Sequence, residues 1–346
     1  MSEITKKILN WYTENARSMP WRDVKDPYKV WISEVMLQQT RVESVIHYYL
    51  RWMERFPDIF SLANSDLQEV LKAWEGLGYY SRARKLHEAS NIIVAKHYGK
   101  FPEKLDELES LPGIGAYTAA AIASFAFDQD TFPVDGNINR VFARLFGISN
   151  ILGTKEFAEE IEGYRQLVFP KGRSADFNQA LMDLGSVVCK PTAPICSACP
   201  LSLDCFSRQN PTALPLRPVK KIVPTVKKIG LVLIVDGKVC LFRRPANGLL
   251  GGLWEFPVAD AENISLHDSI DALHSLIGVE FEFNRRILVI RHAYTHFKVI
   301  EEVYLGEITK TPLQNTRGGV WIDVMMIADF PMGKIDRTIA NWISAR

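Results

Sequence analysis

Along residues 1–208 the apolar positions recur at three- and four-residue intervals with polar turns between them, and no stretch alternates long enough to read as a strand. Asp26-Pro27 is a helix start, an N-cap followed by proline at the first helical position, and it predicts a helix running through YKVWISEVMLQQ. Further helices are expected near 4–16, 42–55, 66–74, 80–98, 105–111, 116–126, 137–146, 155–168 and 176–187. The texture changes after residue 228. KIGLVLIVDGKVCLFRR reads as two strands joined at Asp236-Gly237, a strong hairpin signal, and a helix near 266–277 and strands near 285–291 and 297–306 follow. The chain is therefore expected to be multi-domain, with an all-α first part and an α+β second part.

Composition agrees with two folded domains. The 346 residues are 47% hydrophobic and 23% charged, a mixture able to bury a core. No apolar run approaches a membrane span, and the opening MSEITKKILNWY turns polar too soon for a signal peptide, so a cytoplasmic protein is expected. The formal net charge of +1 does not by itself mark a nucleic-acid binder, and any such contact must come from a local patch. Charge is uneven along the chain: residues 1–208 hold 24 Lys+Arg against 26 Asp+Glu, and residues 209–346 hold 17 against 14. Within 209–229, Arg217, Lys220, Lys221, Lys227 and Lys228 meet no acid, while Pro211, Pro215, Pro218 and Pro224 recur. This reads as a proline-stiffened basic linker, either a solvated tether or one that also touches phosphates. The expected division is 1–208, a linker at 209–228, and 229–346.

Four of the five cysteines, Cys189, Cys196, Cys199 and Cys205, stand within seventeen residues, separated by six, two and five. Four thiolates so spaced can wrap one metal centre, and Pro191, Pro194 and Pro200 keep the loop out of helix or strand. An iron–sulfur cluster leads. Structural zinc is the rival, though zinc modules usually present two close cysteine pairs, and a disulfide framework fits a large chain without a secretory signal poorly. Cys240, in a strand-like run, reads as a small buried hydrophobe.

Leu111-Pro112-Gly113-Ile114-Gly115 lies between two helices, where two glycines allow a tight turn that leaves helix-start amides open to a phosphate oxygen. The alternative is a purely structural turn. Asp135, in PVDGNINR, precedes a helix and reads first as a cap. Glu34 is different: it stands mid-helix in WISEVMLQQT among Ile32, Val35, Met36 and Leu37. A carboxyl withdrawn from water has a raised pKa and can deliver a proton near neutral pH. One protonated and one ionised carboxyl is the arrangement that breaks bonds to anomeric carbons.

With these residues in view the chain resembles the adenine DNA glycosylases of the MutY type, in the helix-hairpin-helix, endonuclease III superfamily. The resemblance runs through PWRDVKDPYKVWISEVMLQQTRV, WEGLGYYSRARKL, LPGIGAYTAAAIASFAF, VDGNINRVFARLFG, FNQALMDLGSVVC with its cysteines, and GGLWEFP. It implies an all-α helix-hairpin-helix glycosylase core with an iron–sulfur cluster loop, followed by an α+β Nudix-like C-terminal domain. By the match, Glu34 protonates adenine N7 and helps a water attack, and Asp135 stabilises the positive sugar, with or without a transient bond to it. Asn137 and Tyr117 match positions around the reacting sugar. Bifunctional relatives place a lysine where Tyr117 stands, so strand-cleaving lyase activity is expected to be weak. Asn139 replaces a lysine that some relatives carry.

The match also makes Arg22 part of the adenine pocket, and Gln39 and Tyr79 residues that fill or pry open the base stack. Gly113 and Gly115 become the DNA-binding hairpin. Cys189, Cys196, Cys199 and Cys205 match the ligands of a 4Fe-4S cluster with a structural and DNA-docking role. Arg144, Lys190 and Arg208 are candidates for phosphate contacts nearby, the alternative for each being ordinary surface solvation. In the second domain Tyr294-Thr295-His296 stands where many relatives carry Phe-Ser-His to recognise 8-oxoguanine. VADAENISLHDSIDALHSLIG lacks the acidic helix with which Nudix hydrolases hold magnesium. The expected function is a monofunctional, monomeric DNA glycosylase that flips and removes adenine opposite 8-oxoguanine or guanine in double-stranded DNA, leaving an abasic site. The rivals are a thymine-mismatch or bifunctional glycosylase on the same scaffold, and a non-catalytic damage binder or redox sensor.

Overall fold

The computed structural model describes residues 1–22, 24–219, 222–261, 266–308 and 317–345. Lys220 and Lys221 of the basic linker lie outside the described residues. By its internal contacts the chain divides into two compact units, one formed by 1–63 and 88–220, the other by 64–87 and 221–346.

The helices are α1 (Glu3–Asn15), α2 (Pro27–Leu37), α3 (Val42–Arg55), α4 (Ile59–Ala63), α5 (Leu67–Ala73), α6 (Ser81–His97), α7 (Leu105–Glu109), α8 (Ala116–Phe127), α9 (Gly136–Phe146), α10 (Lys155–Val168) and α11 (Ser174–Asp183). All nine further helices and the one predicted at Asp26-Pro27 are present, and α4 is additional. Asp26 caps α2 through Oδ1, which accepts from the amides of Tyr28 and Lys29. Helix α11 is shorter than the spacing predicts: after Asp183 the backbone widens into a π-helical turn, Leu184–Val188. In the first unit α1, α9 and α11 bury Ile8, Ile138, Phe142, Phe177 and Leu181 together. Helix α8 is rich in alanine, with Ala119, Ala121 and Ala123 fully buried, and α2 packs against it. Small side chains allow close approach, so side chains from α2 and α8 meet at one end of their contact.

In the second unit β1 (Thr225–Val235) and β2 (Lys238–Arg243) form the expected hairpin, with Val235 opposite Lys238. Both turn residues are left-handed, Asp236 at φ 49° and Gly237 at φ 72°, as a two-residue type I′ turn requires. The sheet is completed by β3 (Trp254–Glu255), β4 (Val258–Asp260), β5 (Phe281–Ala293), β6 (Lys298–Ile308) and β7 (Val320–Asp323), in the order β3-β2-β1-β6-β5 with β4 beside β1 and β7 beside β2. Strand β1 runs parallel to β6, and the other pairings are antiparallel. Val232 packs with Ile335, Ile339 and Ile343 of α13 (Lys334–Ser344), whereas Leu231 and Leu233 pack with Leu273 and Ile277 of α12 (Leu266–Ile277). Burial on both faces explains the unbroken apolar run of β1. Cys240 is fully buried in the second of these cores.

The segment 64–87 belongs with this sheet. Tyr80 donates from its hydroxyl to the Met332 carbonyl at 3.0 Å, Arg84 Nη1 to the Gly251 carbonyl at 2.7 Å, and Trp254 Nε1 to Gln68 Oε1 at 2.8 Å. Arg337 and Glu75 form an ion pair there. Among the described residues no helix is long and apolar enough to cross a membrane.

Candidate active site

Within the first unit a cavity of about 940 Å³ is lined by Glu34, Tyr117, Asp135 and Asn137, together with Arg22, Gln39 and Gly115. Glu34 is only 6% exposed. The hydroxyl of Tyr117, in the first turn of α8, donates to Glu34 Oε2 at 2.6 Å. Burial pushes the Glu34 carboxyl up to about 7; the Tyr117 bond opposes this, the negative field of Asp135 adds to it, and the Arg22 charge draws it down. A carboxyl so placed is divided between acid and base forms at neutral pH.

Asp135 is the N-cap of α9, as its place before the helix predicts, and it also lines the cavity. Oδ1 accepts from the amides of Asn137 at 2.9 Å and Ile138 at 2.7 Å, and Oδ2 from Asn137 Nδ2 at 2.7 Å. Burial raises its carboxyl above the ordinary range against the pull of these bonds. Asn137 is fixed on both sides. Its Oδ1 accepts from Arg140 Nη2 at 2.8 Å, and a side chain on Gly185 would meet Asn137 Cβ at 2.6 Å, so the π-helical turn approaches α9 closely only because residue 185 is glycine. Arg140 also donates to the carbonyls of Gly185 at 2.7 Å and Cys189 at 2.7 Å.

Arg22 lines the cavity, and both its terminal nitrogens bond within the protein. Nη2 reaches Asp183 Oδ1 at 2.8 Å, and Nη1 reaches the Tyr12 hydroxyl at 2.6 Å and Gln179 Oε1 at 3.3 Å. Sequence reasoning passed over Asp183, Gln179, Arg140 and Gly185. Asp183 carries the signal that singled out Glu34, an acid inside an apolar helical run, here ALMDLG. The others leave no such mark, because Gln179 meets Arg22, Gly185 meets Asn137 and Arg140 meets Cys189 only across segments remote in sequence.

In the hairpin Gly113 takes φ +79°, a left-handed conformation that favours glycine, whereas Gly115 caps α8 without any side-chain bond and borders open space. Gln39 and Tyr79 also adopt left-handed backbone, at φ 56° and 48°, unusual for residues with side chains. Gln39 lines the cavity. In the second unit the Tyr79 hydroxyl lies 3.1 Å from Thr295 Oγ1, and the ring is 45% exposed. Tyr294 begins the turn between β5 and β6, its amide donating to the Phe297 carbonyl, with its ring against His292 and Phe297. His296 lies in the same turn.

The four clustered cysteines carry no disulfide and line one small cavity of about 30 Å³. Among the described residues no group of three or more His, Cys, Asp or Glu side chains is arranged as a metal-ion site. Arg144 is not the surface phosphate contact that the sequence suggests. It is buried, with donors on the carbonyls of Lys190, Pro191 and Leu214 and on Cys189 Sγ at 3.4 Å, so it ties the cysteine loop from within.

A helical unit whose cavity is lined by a buried acid and a helix-capping aspartate, and a second unit built on a mixed sheet, define a two-part base-excision glycosylase. Residues 32–166 match the HhH-GPD superfamily of base excision DNA repair proteins, and residues 229–342 match the NUDIX domain. The chain belongs to the adenine DNA glycosylase family, MutY type. It is 33% identical to the mouse adenine DNA glycosylase over 91% of this chain and 73% of that protein, and 33% identical to the human one over 91% and 69%. Among solved structures, a thermostable thymine-DNA glycosylase aligns with TM-score 0.54 and 28% identity over 60% of this chain and 95% of its own. Endonuclease III in a trapped DNA covalent intermediate aligns with TM-score 0.52 and 23% identity over 60% and 96%, a likeness of fold.

Proposed function

We propose that this glycosylase removes adenine paired with 8-oxoguanine, or with guanine, from double-stranded DNA by hydrolysis and leaves an abasic site. The observation that carries the reading is Glu34, a buried acid whose carboxyl is pushed up to about 7 and which lines one cavity together with Asp135. Adenine is a poor leaving group until protonated. Glu34 delivers its proton to N7, the bond from N9 to the sugar breaks, and its electrons pass into the base. Positive charge then grows on the deoxyribose, where Asp135 holds negative charge close by. Asn137 fixes the carboxylate by its bond to Oδ2. Water adds to the anomeric carbon, and its released proton returns to Glu34. Tyr117 occupies the place where a lysine would form a Schiff base, so strand cleavage is weak.

For the adenine to enter the cavity it must leave the stack, at a cost of a few kcal/mol. Gln39 and Tyr79 are assigned to the vacated stack, the Gly113–Gly115 hairpin to a backbone phosphate, and Tyr294, Thr295 and His296 to the 8-oxoguanine that remains. The open space at Gly115 and the lack of a side-chain bond at the start of α8 favour the phosphate assignment. Glycosylase chemistry is assigned to residues 1–208, tethering to 209–228 and lesion recognition to 229–346.

Cys189, Cys196, Cys199 and Cys205 would hold a 4Fe-4S cluster, which supplies cross-linking of the loop rather than a step in hydrolysis. Four thiols that line one cavity fit this group, because a 4Fe-4S cluster takes each thiolate on a separate iron.

Incubating the protein with duplexes carrying A opposite 8-oxoguanine, A opposite G, T opposite G, and only normal pairs tests the reading. Free adenine from the first two alone is expected. Release of thymine favours the mismatch alternative, and no release from any duplex leaves only a damage binder.

A further inference from the structure

Asp183 is fully buried at the end of α11, where the helix gives way to the π-helical turn. Its Oδ1 accepts from Arg17 Nε at 2.8 Å, Arg17 Nη2 at 2.6 Å and Arg22 Nη2 at 2.8 Å, and its Oδ2 accepts from the Arg17 amide at 3.3 Å. Arg17 and Arg22 both stand on the wall of the Glu34 cavity, as does Gln179, whose Oε1 accepts from Tyr12 and Arg22. One carboxylate thus serves two guanidinium groups.

We propose that Asp183 is the positioning residue of this wall: it clamps Arg17 and Arg22 in place and cancels part of their charge, so that Glu34 keeps the proton it must deliver. A buried carboxylate holding two arginines leaves one net positive charge, whereas the same wall without it carries two, in a setting where water screens little. The ionisable groups that face Glu34 are Tyr117 from α8, Asp135 at the head of α9 and Arg22 from the segment before α2. Farther along the wall, Lys25 pairs with Asp128, and Asp176 pairs with Arg173. Of the three that face it, only Arg22 draws the Glu34 carboxyl toward its charged form as a cation, and Asp183 is the acid bonded to Arg22.

The inference rests on Glu34 as the general acid, and the test separates the two. Single-turnover adenine release from a duplex with A opposite 8-oxoguanine is measured across roughly pH 5.5–9 for the full chain, Asp183→Asn, Arg17→Gln and the double variant. The alkaline midpoint of Asp183→Asn is expected to fall by about half to one pH unit, because the uncancelled arginine favours ionised Glu34. That of Arg17→Gln is expected to rise, since Asp183 then serves Arg22 alone, and the double variant is expected to return close to the parent. An Asp183→Asn profile lowered at every pH with its midpoint unmoved would overturn the clamp while leaving Glu34 in its role. A parent profile without an alkaline limb removes Glu34 and the clamp together. If Asp183→Asn does not fold, the direction of the Arg17→Gln shift decides: upward supports the clamp, and unmoved or downward overturns it.

Discussion

The hydroxyl of Tyr117 donates a 2.6 Å hydrogen bond to Oε2 of Glu34, and that bond favours the ionised form of an acid whose burial favours the neutral one. Adenine release is therefore expected to fall as pH rises through about 7, since the proton to be delivered is lost there. Tyr117→Phe removes the opposing bond, raises the Glu34 pKa and moves the falling limb upward. Glu34→Gln is expected to reduce single-turnover release by about 10²–10⁴-fold while duplex binding stays near the parent level. A Tyr117→Phe limb that stays in place, or turnover retained by Glu34→Gln, would contradict the acid assignment.

Arg140 joins Asn137 to the backbone of Cys189. Replacing it with glutamine frees the amide that steadies Asp135, and misplacement of a reacting group by about 1 Å is enough to cost on the order of 10²-fold in rate. Release is expected to fall by about tenfold or more, with duplex affinity little changed. A rate equal to the parent would show that Asn137 needs no such support.

Thr295 meets Tyr79 through their hydroxyls at 3.1 Å. Thr295→Val keeps the shape and removes the bond. The ratio of release from A opposite 8-oxoguanine to release from A opposite guanine is expected to drop by about threefold to tenfold, the worth of one hydrogen bond. Truncation after 228 is a poorer test, because Tyr80, Arg84 and Glu75 lose their partners with the sheet. An unchanged ratio would remove Thr295 from lesion recognition.

Glu301 of β6 is buried against Gly230, where a side chain would meet its Oε1 at 2.6 Å. Burial, and then the field of Asp336, push its carboxyl up to about 8. The folded state thus holds a proton that the unfolded chain releases near pH ~4.3, so this group makes the fold less stable as pH rises from there to about 8. Glu301→Gln removes the cost of burying a charge. Its melting temperature is expected to exceed the parent's at alkaline pH, by about 2–4 °C for each kcal/mol relieved, and to match it more closely near pH ~5. A gain independent of pH would point to packing instead.

The sequence alone determined the helices of the first part and the central strands of the second, because apolar spacing and turn chemistry act over a few residues. Asp26 capping α2 and Asp236-Gly237 closing its hairpin are such cases. It also marked Glu34, since an acid in an apolar helical run is a local anomaly. Short β3, β4 and β7 and helix α13 escaped, the strands being too brief to show a period. Only tertiary structure decided that Asp183 holds two arginines, that Arg140 spans from Asn137 to Cys189, that buried Arg144 ties the cysteine loop, and that residues 64–87 join the sheet. Each of these depends on partners distant in sequence, and their hydrogen bonds and fields exist only once the chain has brought them together and excluded water.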